Sequence, residues 1–537
     1  MKRLIASVLI LLLAIAVRLY PTLETGMPFS TDGWGPIRNA EGIIAHSPIP
    51  LTNETVFDGY HSYWPAVSIF GAVLSITTGL KAINAMSMGI PLVAALSTLI
   101  LYALMKKVCG EARLALLSAL LLAIIYPHAL FTAGVTKEAY ATPLYLTAIL
   151  LFLGYGKMRE TLLFMIVSIA LVTAHHLAAL ATVAILFSIA AGWAIINFKM
   201  GWRIEKSAFT PSIALAAAAG IYLELYAYNG LIAKTTIALS DIISAFSYQA
   251  TAFAITLYLV AKKPKPKPST LKSIIKCVAP PLLILALIVI CIRRPIIPSA
   301  PILPARYLAY ATPFLIAAPL SVLGAGGAIG GKSPTRLVLA FWLSALLGLE
   351  GYALFGSSPI GLTLIYRVIN MISIPLAALC AIGFYKLALT PKNSGRRLTW
   401  IASATLLAIV ASNIYNVYAS VSLRERYMGY FWAYTPSEFT AGRWLLENAN
   451  NTIAGDVKAS YLLKEYFKLN VDATYALRYF SGEASKPPKL LILYDLMNEN
   501  GYVLYGGYSV NLPQGWINKT LNLSQIYSNN YVKAYIS

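Results

Sequence analysis

Charged residues and cysteines are scarce in this sequence of 537 residues. Only 12% of the residues are charged, and 58% are hydrophobic. A soluble domain carries about twice that charged share. The four cysteines lie in or beside apolar runs, and their spacing matches neither a metal site nor a disulfide framework. The composition therefore excludes an ordinary soluble protein and favours one that crosses a membrane.

Acidic residues are scarcer than basic ones, with 21 Asp and Glu against 42 Lys and Arg and a formal net charge of +21. Nucleic-acid-binding proteins also carry such an excess. Here, however, the basic residues lie mostly in short loops between apolar runs. This placement is typical of the cytoplasmic loops of membrane proteins. The charge therefore predicts a membrane topology and no nucleic-acid partner.

Apolar runs that match the roughly 20 residues of a membrane crossing recur along the chain. They predict an all-α polytopic membrane protein with about 13 transmembrane helices. The first run, 4–17, lacks a small-residue cleavage site after it, so we interpret it as a retained helix and not a signal peptide. The other crossings are predicted near 84–105, 114–133, 140–155, 161–174, 177–197, 208–226, 244–261, 277–292, 308–325, 337–354, 368–390 and 399–417.

One apolar stretch, Pro65–Leu80, does not fit this series of crossings. If it crossed together with 84–105, Lys106 and Lys107 would lie outside, against the positive-inside rule. We therefore predict an interfacial helix in the first outer loop. The odd number of crossings then places the N-terminus in the cytoplasm and the C-terminal tail outside. Four N-x-Ser/Thr sequons fall outside on this map, at Asn53, Asn450, Asn518 and Asn522.

The chain changes character near residue 418, where long apolar runs end. We therefore divide it into a transmembrane domain, 1–417, and a small extracytoplasmic α/β domain, 418–537. Within the tail, Thr435 and Glu438 predict a capped helix that runs through Glu447. Strands are predicted at Lys489–Tyr494 and Tyr502–Tyr505, and a hairpin is predicted over Ile526–Tyr535.

Polar groups concentrate on the predicted outer side of the membrane domain. All five histidines map there, as do the acids and bases that could carry chemistry. Asp32 follows the first crossing closely, and partial burial at that point would make it a usable general base. The alternative is that Asp32 only begins a turn or caps a helix, with Gly33 behind it.

Several of these residues together resemble the GT-C superfamily of integral-membrane glycosyltransferases. The resemblance rests on Asp32 after the first crossing, Trp64-Pro65 opening an interfacial helix, Lys137-Glu138 in the second outer loop, Arg306, Arg367, and the tail segment Ser437–Glu447 followed by Gly455-Asp456. The tail segment is similar to that of archaeal members. The Trp-Trp-Asp-Tyr-Gly motif of oligosaccharyltransferases is absent. This favours a transferase of single hexosyl or pentosyl units.

The resemblance implies a donor sugar on a polyprenyl phosphate and a glycan, lipid or protein acceptor at the outer face of the cell membrane. Asp32 would be the catalytic base of an inverting single displacement. Glu138, Asp58 and His61 would position the acceptor. The phosphate would be bound by Lys137, Arg306, Arg367, His175 and His176.

Three alternatives stay open at this stage. A divalent metal could lie at His175 or His176 with His61 or Asp58; otherwise one of the two histidines binds phosphate or acceptor and the other bonds to the backbone. A secondary transporter or flippase, or a non-catalytic scaffold for the cell surface, would also place polar groups in a membrane protein. The segment 326–333 matches a Walker A pattern, but a membrane crossing precedes it, so we interpret it as a cytoplasmic turn.

Overall fold

A computed structural model describes residues 1–46, 48, 60–199, 206–232, 238–262, 271–294, 302–329, 334–356, 361–388 and 396–537. The chain is mostly helical, and a small sheet lies near its C-terminus. The helices before the tail are α1 (Lys2–Thr25), α2 (Trp34–Ala45), α3 (Ala66–Thr78), α4 (Ala82–Ala95), α5 (Ser97–Cys109), α6 (Ala112–Ile124), α7 (Tyr126–Phe131), α8 (Lys137–Phe152), α9 (Met158–Ala174), α10 (His176–Lys199), α11 (Thr210–Tyr222), α12 (Tyr228–Ile232), α13 (Leu239–Lys262), α14 (Leu271–Arg293), α15 (Tyr307–Tyr310), α16 (Thr312–Ile329), α17 (Leu337–Phe355), α18 (Gly361–Ala388) and α19 (Arg396–Val421).

Nine helical segments within the described residues are long and apolar enough to cross a membrane. They coincide with nine of the predicted crossings. Three of the other four predicted crossings coincide with shorter helices, namely α6 together with α7, then α8, then α9. The fourth coincides with the apolar part of α14, Val278–Arg293. The multi-pass architecture is therefore confirmed, and the count of about 13 stays a prediction.

The stretch that we predicted to be interfacial forms the short helix α3, whose 13 residues rise about 20 Å, less than the thickness of the bilayer core. It packs between α2 and α4. The long helix α18 lies at the centre of the domain, with 83% of its most apolar window buried, whereas the corresponding window of α13 has no buried residue. Exposed apolar side chains on such peripheral helices suit a hydrocarbon solvent.

The tail contains five short helices and seven strands among its described residues. They are α20 (Pro436–Asn448), α21 (Val457–Ser460), α22 (Tyr475–Ser481), α23 (Met497–Asn500), α24 (Trp516–Thr520), β1 (Ile453–Ala454), β2 (Val471–Asp472), β3 (Leu490–Tyr494), β4 (Tyr502–Val503), β5 (Ser509–Val510), β6 (Ser524–Ser528) and β7 (Val532–Ile536). One sheet has the order β2-β1-β3-β7-β6, and β4 pairs with β5.

The tail elements predicted from sequence are confirmed. Thr435 and Glu438 form the reciprocal capping box at the start of α20. The strand at 489–494 is β3, the strand at 502–505 is the shorter β4, and the hairpin is the antiparallel pair β6 and β7. Helix α19 runs to Val421, slightly beyond the boundary that we placed at 417. The division into two domains stays a prediction.

The tail packs on the first loop through Trp34 at the start of α2. This indole is fully buried, and its ring lies 5.1 Å from Tyr434, 6.0 Å from Phe439 and 5.6 Å from Tyr466, all residues of the tail. Aromatic contacts at these separations add to the burial of apolar area. The tail is therefore held against the loop that carries Asp32.

Candidate active site

Asp32 lies in a single 3₁₀ turn between α1 and α2. The hydroxyl of Ser30 accepts the backbone N–H of Asp32 at 3.3 Å, so the cap of this turn is Ser30. Two longer-range hydrogen bonds fix the turn: Ser30 N–H donates to the carbonyl of Trp432 at 2.9 Å, and Val135 N–H donates to the carbonyl of Phe29 at 3.0 Å. The Asp32 side chain is 30% exposed and remains available for chemistry.

Glu138 lies in the first turn of α8. The hydroxyl of Thr136 caps this helix by accepting the N–H of Ala139 at 2.9 Å. A carboxylate is favoured at this end of a helix by the macrodipole. The Glu138 side chain is only 2% exposed, so its charge needs partners inside the protein.

Arg367 on α18 supplies that partner and joins Glu138 to Asp32. One terminal nitrogen of its guanidinium donates to Asp32 Oδ2 at 2.5 Å, and the other donates to Glu138 Oε2 at 3.3 Å. Asn370, one turn later on α18, donates its amide N–H to Glu138 Oε1 at 3.2 Å. The planar guanidinium presents separate N–H groups to the two carboxylates in a fixed geometry. The structure thus brings together three residues that the sequence singled out.

A second cluster surrounds Lys137, the neighbour of Glu138. The Lys137 ammonium lies 4.0 Å from the ring centroid of Tyr60 and 5.1 Å from that of Trp64. The ring of Trp64 lies 4.6 Å from His176, and the rings of His176 and His175 are 5.0 Å apart. Lys137 is also close enough to act electrostatically on both histidines, as is the guanidinium described above.

The two adjacent histidines have different partners. His175 Nδ1 accepts the backbone N–H of Ala178 at 3.3 Å. The ring of His176 contacts the indole of Trp64 instead, at an interplanar angle of 49°. The Lys137 ammonium, the Arg367 guanidinium and the two imidazoles bring several hydrogen-bond donors together, which suits an anion.

The tail contributes residues that the sequence did not indicate. Residues 461–466 form a π-helical segment, a feature common at functional sites. Its Glu465 lies 3.4 Å from His61 Nε2. Burial raises the pKa of the Tyr461 hydroxyl well above its ordinary value, and the charges of Asp32 and Glu465 add to this effect. The tail therefore forms one wall of the site.

The structure does not bring every candidate to Asp32. Arg306 donates to Glu425 at 2.9 Å at the root of the tail, and its side chain is 62% exposed. Glu425 is buried and also accepts the hydroxyls of Tyr310 and Tyr307, at 2.9 and 3.3 Å. Arg306 thus belongs to a separate anchor in this structure. Asp58 lies outside the described residues.

A narrow pocket lies directly beside Asp32. Its aromatic walls are Phe29, Phe131, Tyr366 and Trp432. The ring centroids of Phe131 and Tyr366 are 6.0 Å apart, and those of Tyr366 and Trp432 are 6.3 Å apart. Trp432 comes from the beginning of the tail, and no sequence signal separated it from the many other aromatic residues of the chain.

A larger apolar cavity of about 430 Å³ lies between α14, α16 and α18. Its lining includes Ile369 and Ile372 of α18, Pro313 and Phe314 of α16, and Ile284 of α14. On α18 the lining residues lie mostly on the face of the helix away from Arg367, because residues two apart in a helix do not share a face. The cavity offers an apolar space for a chain-like ligand between these helices.

The described residues do not fit a metal site at this position. Among them, no three His, Cys, Asp or Glu side chains come close enough to hold a metal ion. The carboxylates of Asp32 and Glu138, which would be the natural oxygen ligands, both receive hydrogen bonds from Arg367. A guanidinium thus fills the position between them.

Two solved structures of an oligosaccharyltransferase are similar to this chain. The Archaeoglobus fulgidus oligosaccharyltransferase in the apo form matches with a TM-score of 0.58 and 14% identity, over 92% of this chain and 70% of that one. The Archaeoglobus fulgidus oligosaccharyltransferase AglB in complex with an inhibitory peptide and a dolichol-phosphate matches with a TM-score of 0.59 and 11% identity, over the same 92% and 70%.

ArnT from Cupriavidus metallidurans in the apo state matches over 98% of this chain and 97% of that chain, at 12% identity and a TM-score of 0.47. No protein-family model and no curated protein matches the chain. The matched oligosaccharyltransferases are GT-C glycosyltransferases. The chain therefore has the GT-C fold, and the resemblance noted in the sequence is confirmed at the level of fold.

Proposed function

We propose that this protein is a membrane glycosyltransferase that moves a single sugar from a polyprenyl-phosphate carrier to an acceptor hydroxyl on the outer face of the cell membrane. The observation that carries the proposal is the junction of Asp32, Glu138 and Arg367 inside a GT-C fold. A carboxylate base and a cation for a leaving phosphate are the two groups that such a transfer needs.

The donor is proposed to bind across the charged cluster and the apolar cavity. Its phosphate is proposed to accept hydrogen bonds from Lys137, Arg367, His175 and His176. Its polyprenyl chain is proposed to occupy the apolar cavity of about 430 Å³ between α14, α16 and α18. One of the matched proteins, AglB from Archaeoglobus fulgidus, is in complex with a dolichol-phosphate, a ligand of the same chemical class.

The proposed transfer is a single displacement. The acceptor oxygen attacks the anomeric carbon while Asp32 takes the hydroxyl proton, so the new C–O bond forms as the bond to the phosphate oxygen breaks. The electron pair leaves on the phosphate, whose charge Arg367 and Lys137 stabilise. Attack from the side opposite the leaving group inverts the anomeric configuration.

Arg367 connects the removal of the acceptor proton by Asp32 with the departure of the phosphate. A carboxylate paired with a guanidinium at 2.5 Å is a weak base, because the positive charge favours its ionised form. A donor phosphate that competes for the same guanidinium nitrogen would release Asp32 and restore its basicity. Glu138 would hold the other terminal nitrogen throughout. Binding of the donor therefore prepares the base.

The acceptor is proposed to approach from the tail side, where His61 lies against Glu465. His61, Asp58 and Glu138 are the residues proposed to position it. The transfer assay decides whether the acceptor is a glycan, a lipid or a protein. The absence of the Trp-Trp-Asp-Tyr-Gly motif favours transfer of one sugar unit over transfer of a whole glycan to asparagine.

The test is transfer of radiolabelled sugar by purified protein in nanodiscs. The panel of donors contains polyprenyl-phosphate hexoses and pentoses, and the acceptors are glycans, lipids and peptides. The expected result is time-dependent release of polyprenyl phosphate with a product of inverted configuration. Movement of intact donor between leaflets of sealed vesicles, without release of polyprenyl phosphate, would instead identify a flippase.

A further inference from the structure

His128 on α7 is a buried histidine to which the proposed reaction assigns no role. Its Nδ1 lies 2.8 Å from Asn370 Oδ1, and its side chain is fully buried. Asn370 in turn donates its amide nitrogen to Glu138 at 3.2 Å. Because the carboxylate can only accept, the amide oxygen faces His128, and His128 Nδ1 must donate.

A continuous chain of hydrogen bonds thus runs from α7 to the catalytic carboxylate. His128 orients the Asn370 amide, Asn370 holds one oxygen of Glu138, Glu138 holds one nitrogen of Arg367, and Arg367 contacts Asp32. Without the donor at Nδ1, the amide could flip and place its oxygen against the Glu138 carboxylate. Groups that orient the ligands of a reacting centre act in this way in other sites.

The backbone that carries His128 is itself fixed. Pro127 lacks an N–H, so the carbonyl of Ala123, four residues earlier, loses its helical partner. The buried guanidinium of Arg18 on α1 donates to that carbonyl at 3.2 Å and to the hydroxyl of Thr132 at 2.9 Å. This hydroxyl donates to the carbonyl of His128 at 2.5 Å. The break between α6 and α7 is thereby held in one geometry.

We propose that His128 is a positioning residue that acts through Asn370 and Glu138 to set the direction of Arg367 between Asp32 and the donor phosphate. The proposal rests on the proposed glycosyl transfer. It assigns to His128 the neutral tautomer with its proton on Nδ1. His128 Nε2 has no hydrogen-bond partner among the described residues, so the role depends on Nδ1 alone.

The kinetic test compares His128→Asn with His128→Leu. Asparagine can place an amide N–H where Nδ1 stands, whereas leucine of similar size cannot donate. We expect His128→Leu to lower kcat about tenfold with little change in the KM for donor, and His128→Asn to keep most of the activity. The double variant His128→Leu/Asn370→Leu should lose no more than Asn370→Leu alone, because both act on one chain.

Asn416→Leu is the matched control. It also removes a buried amide, which donates to the carbonyl of Tyr310 at 2.8 Å, but it lies outside the chain of hydrogen bonds. It should lower the melting temperature without the loss of kcat. Equal losses of kcat in Asn416→Leu and His128→Leu, or additive losses with Asn370→Leu, would overturn the proposal.

An NMR measurement separates this inference from the proposed function. In protein labelled with ¹⁵N-histidine, the His128 signal, assigned with His128→Asn, should show a protonated Nδ1 that changes in Asn370→Leu. A proton on Nε2 instead, or a His128 signal that is unchanged in Asn370→Leu, refutes the chain of hydrogen bonds even if sugar transfer is observed. If the wild type transfers no sugar from any donor, the proposed function fails, and the NMR result alone decides whether the chain exists.

Discussion

Replacing Arg367 by glutamine tests the arrangement that underlies the proposed reaction. The substitution removes the positive charge that Glu138 and Asp32 share. Glu138 is only 2% exposed and would keep a single amide donor, Asn370. Loss of one partner from a buried ion pair costs about 3–5 kcal/mol, because the other charge stays buried without compensation.

The expected loss for Arg367→Gln is about 3 kcal/mol of stability, at the low end of that range. Asp32 is 30% exposed, so water replaces much of its lost interaction. The double variant Arg367→Gln/Glu138→Gln removes the uncompensated charge as well. It should regain about 2 kcal/mol, since a neutral amide is far less costly to bury than a carboxylate.

Activity should follow a different pattern from stability. Removal of one group that stabilises charge in the transition state costs about 10²–10³ in rate. Both the single and the double variant should therefore lose transfer, although the double variant is the more stable. Melting curves and initial rates in nanodiscs measure the two effects. A double variant no more stable than Arg367→Gln would show that Arg367 does not compensate the charge of Glu138.

Three further predictions concern the margins of the site. Arg306→Gln should lower the melting temperature slightly and leave the KM for donor unchanged if Arg306 only anchors Glu425, whereas a rise in KM would place it among the phosphate ligands. Ala317→Phe, which fills part of the apolar cavity, should weaken binding of long-chain donors more than that of short-chain donors. Transfer should survive dialysis against a chelator, because Arg367 occupies the position between the carboxylates; loss of transfer with recovery on added metal would contradict this.

The membrane architecture and the tail could be predicted from sequence because both depend on local patterns. An apolar run of about 20 residues is a crossing whatever its neighbours are. The capping box at Thr435 and Glu438 and the hairpin at the C-terminus are also local, and the structure contains both. For the shorter helices, such as α8 and α9, length alone does not decide whether the helix crosses the membrane.

The site was predicted only in part. Asp32, Glu138 and Arg367 stood out as charged groups on the outer side of an apolar protein, but their mutual contacts span up to 335 residues of sequence. The periodicity of apolar residues gives no information about contacts between residues so far apart in sequence. Asn370 lies on the same face of α18 as Arg367, three residues on, and this spacing could have singled it out. Trp432 and Tyr461 enter the site only because the tail folds back onto the first loop.

The most direct test of the central claim is a comparison of donor binding and turnover in Asp32→Asn. Asp495→Asn, which alters an exposed carboxylate of the tail paired with Lys533, is the matched control. The account predicts that Asp32→Asn binds polyprenyl-phosphate sugar with near wild-type affinity but transfers it at least about 100-fold more slowly, while the control is fully active. Transfer by Asp32→Asn at the wild-type rate would contradict the role of Asp32 as the base.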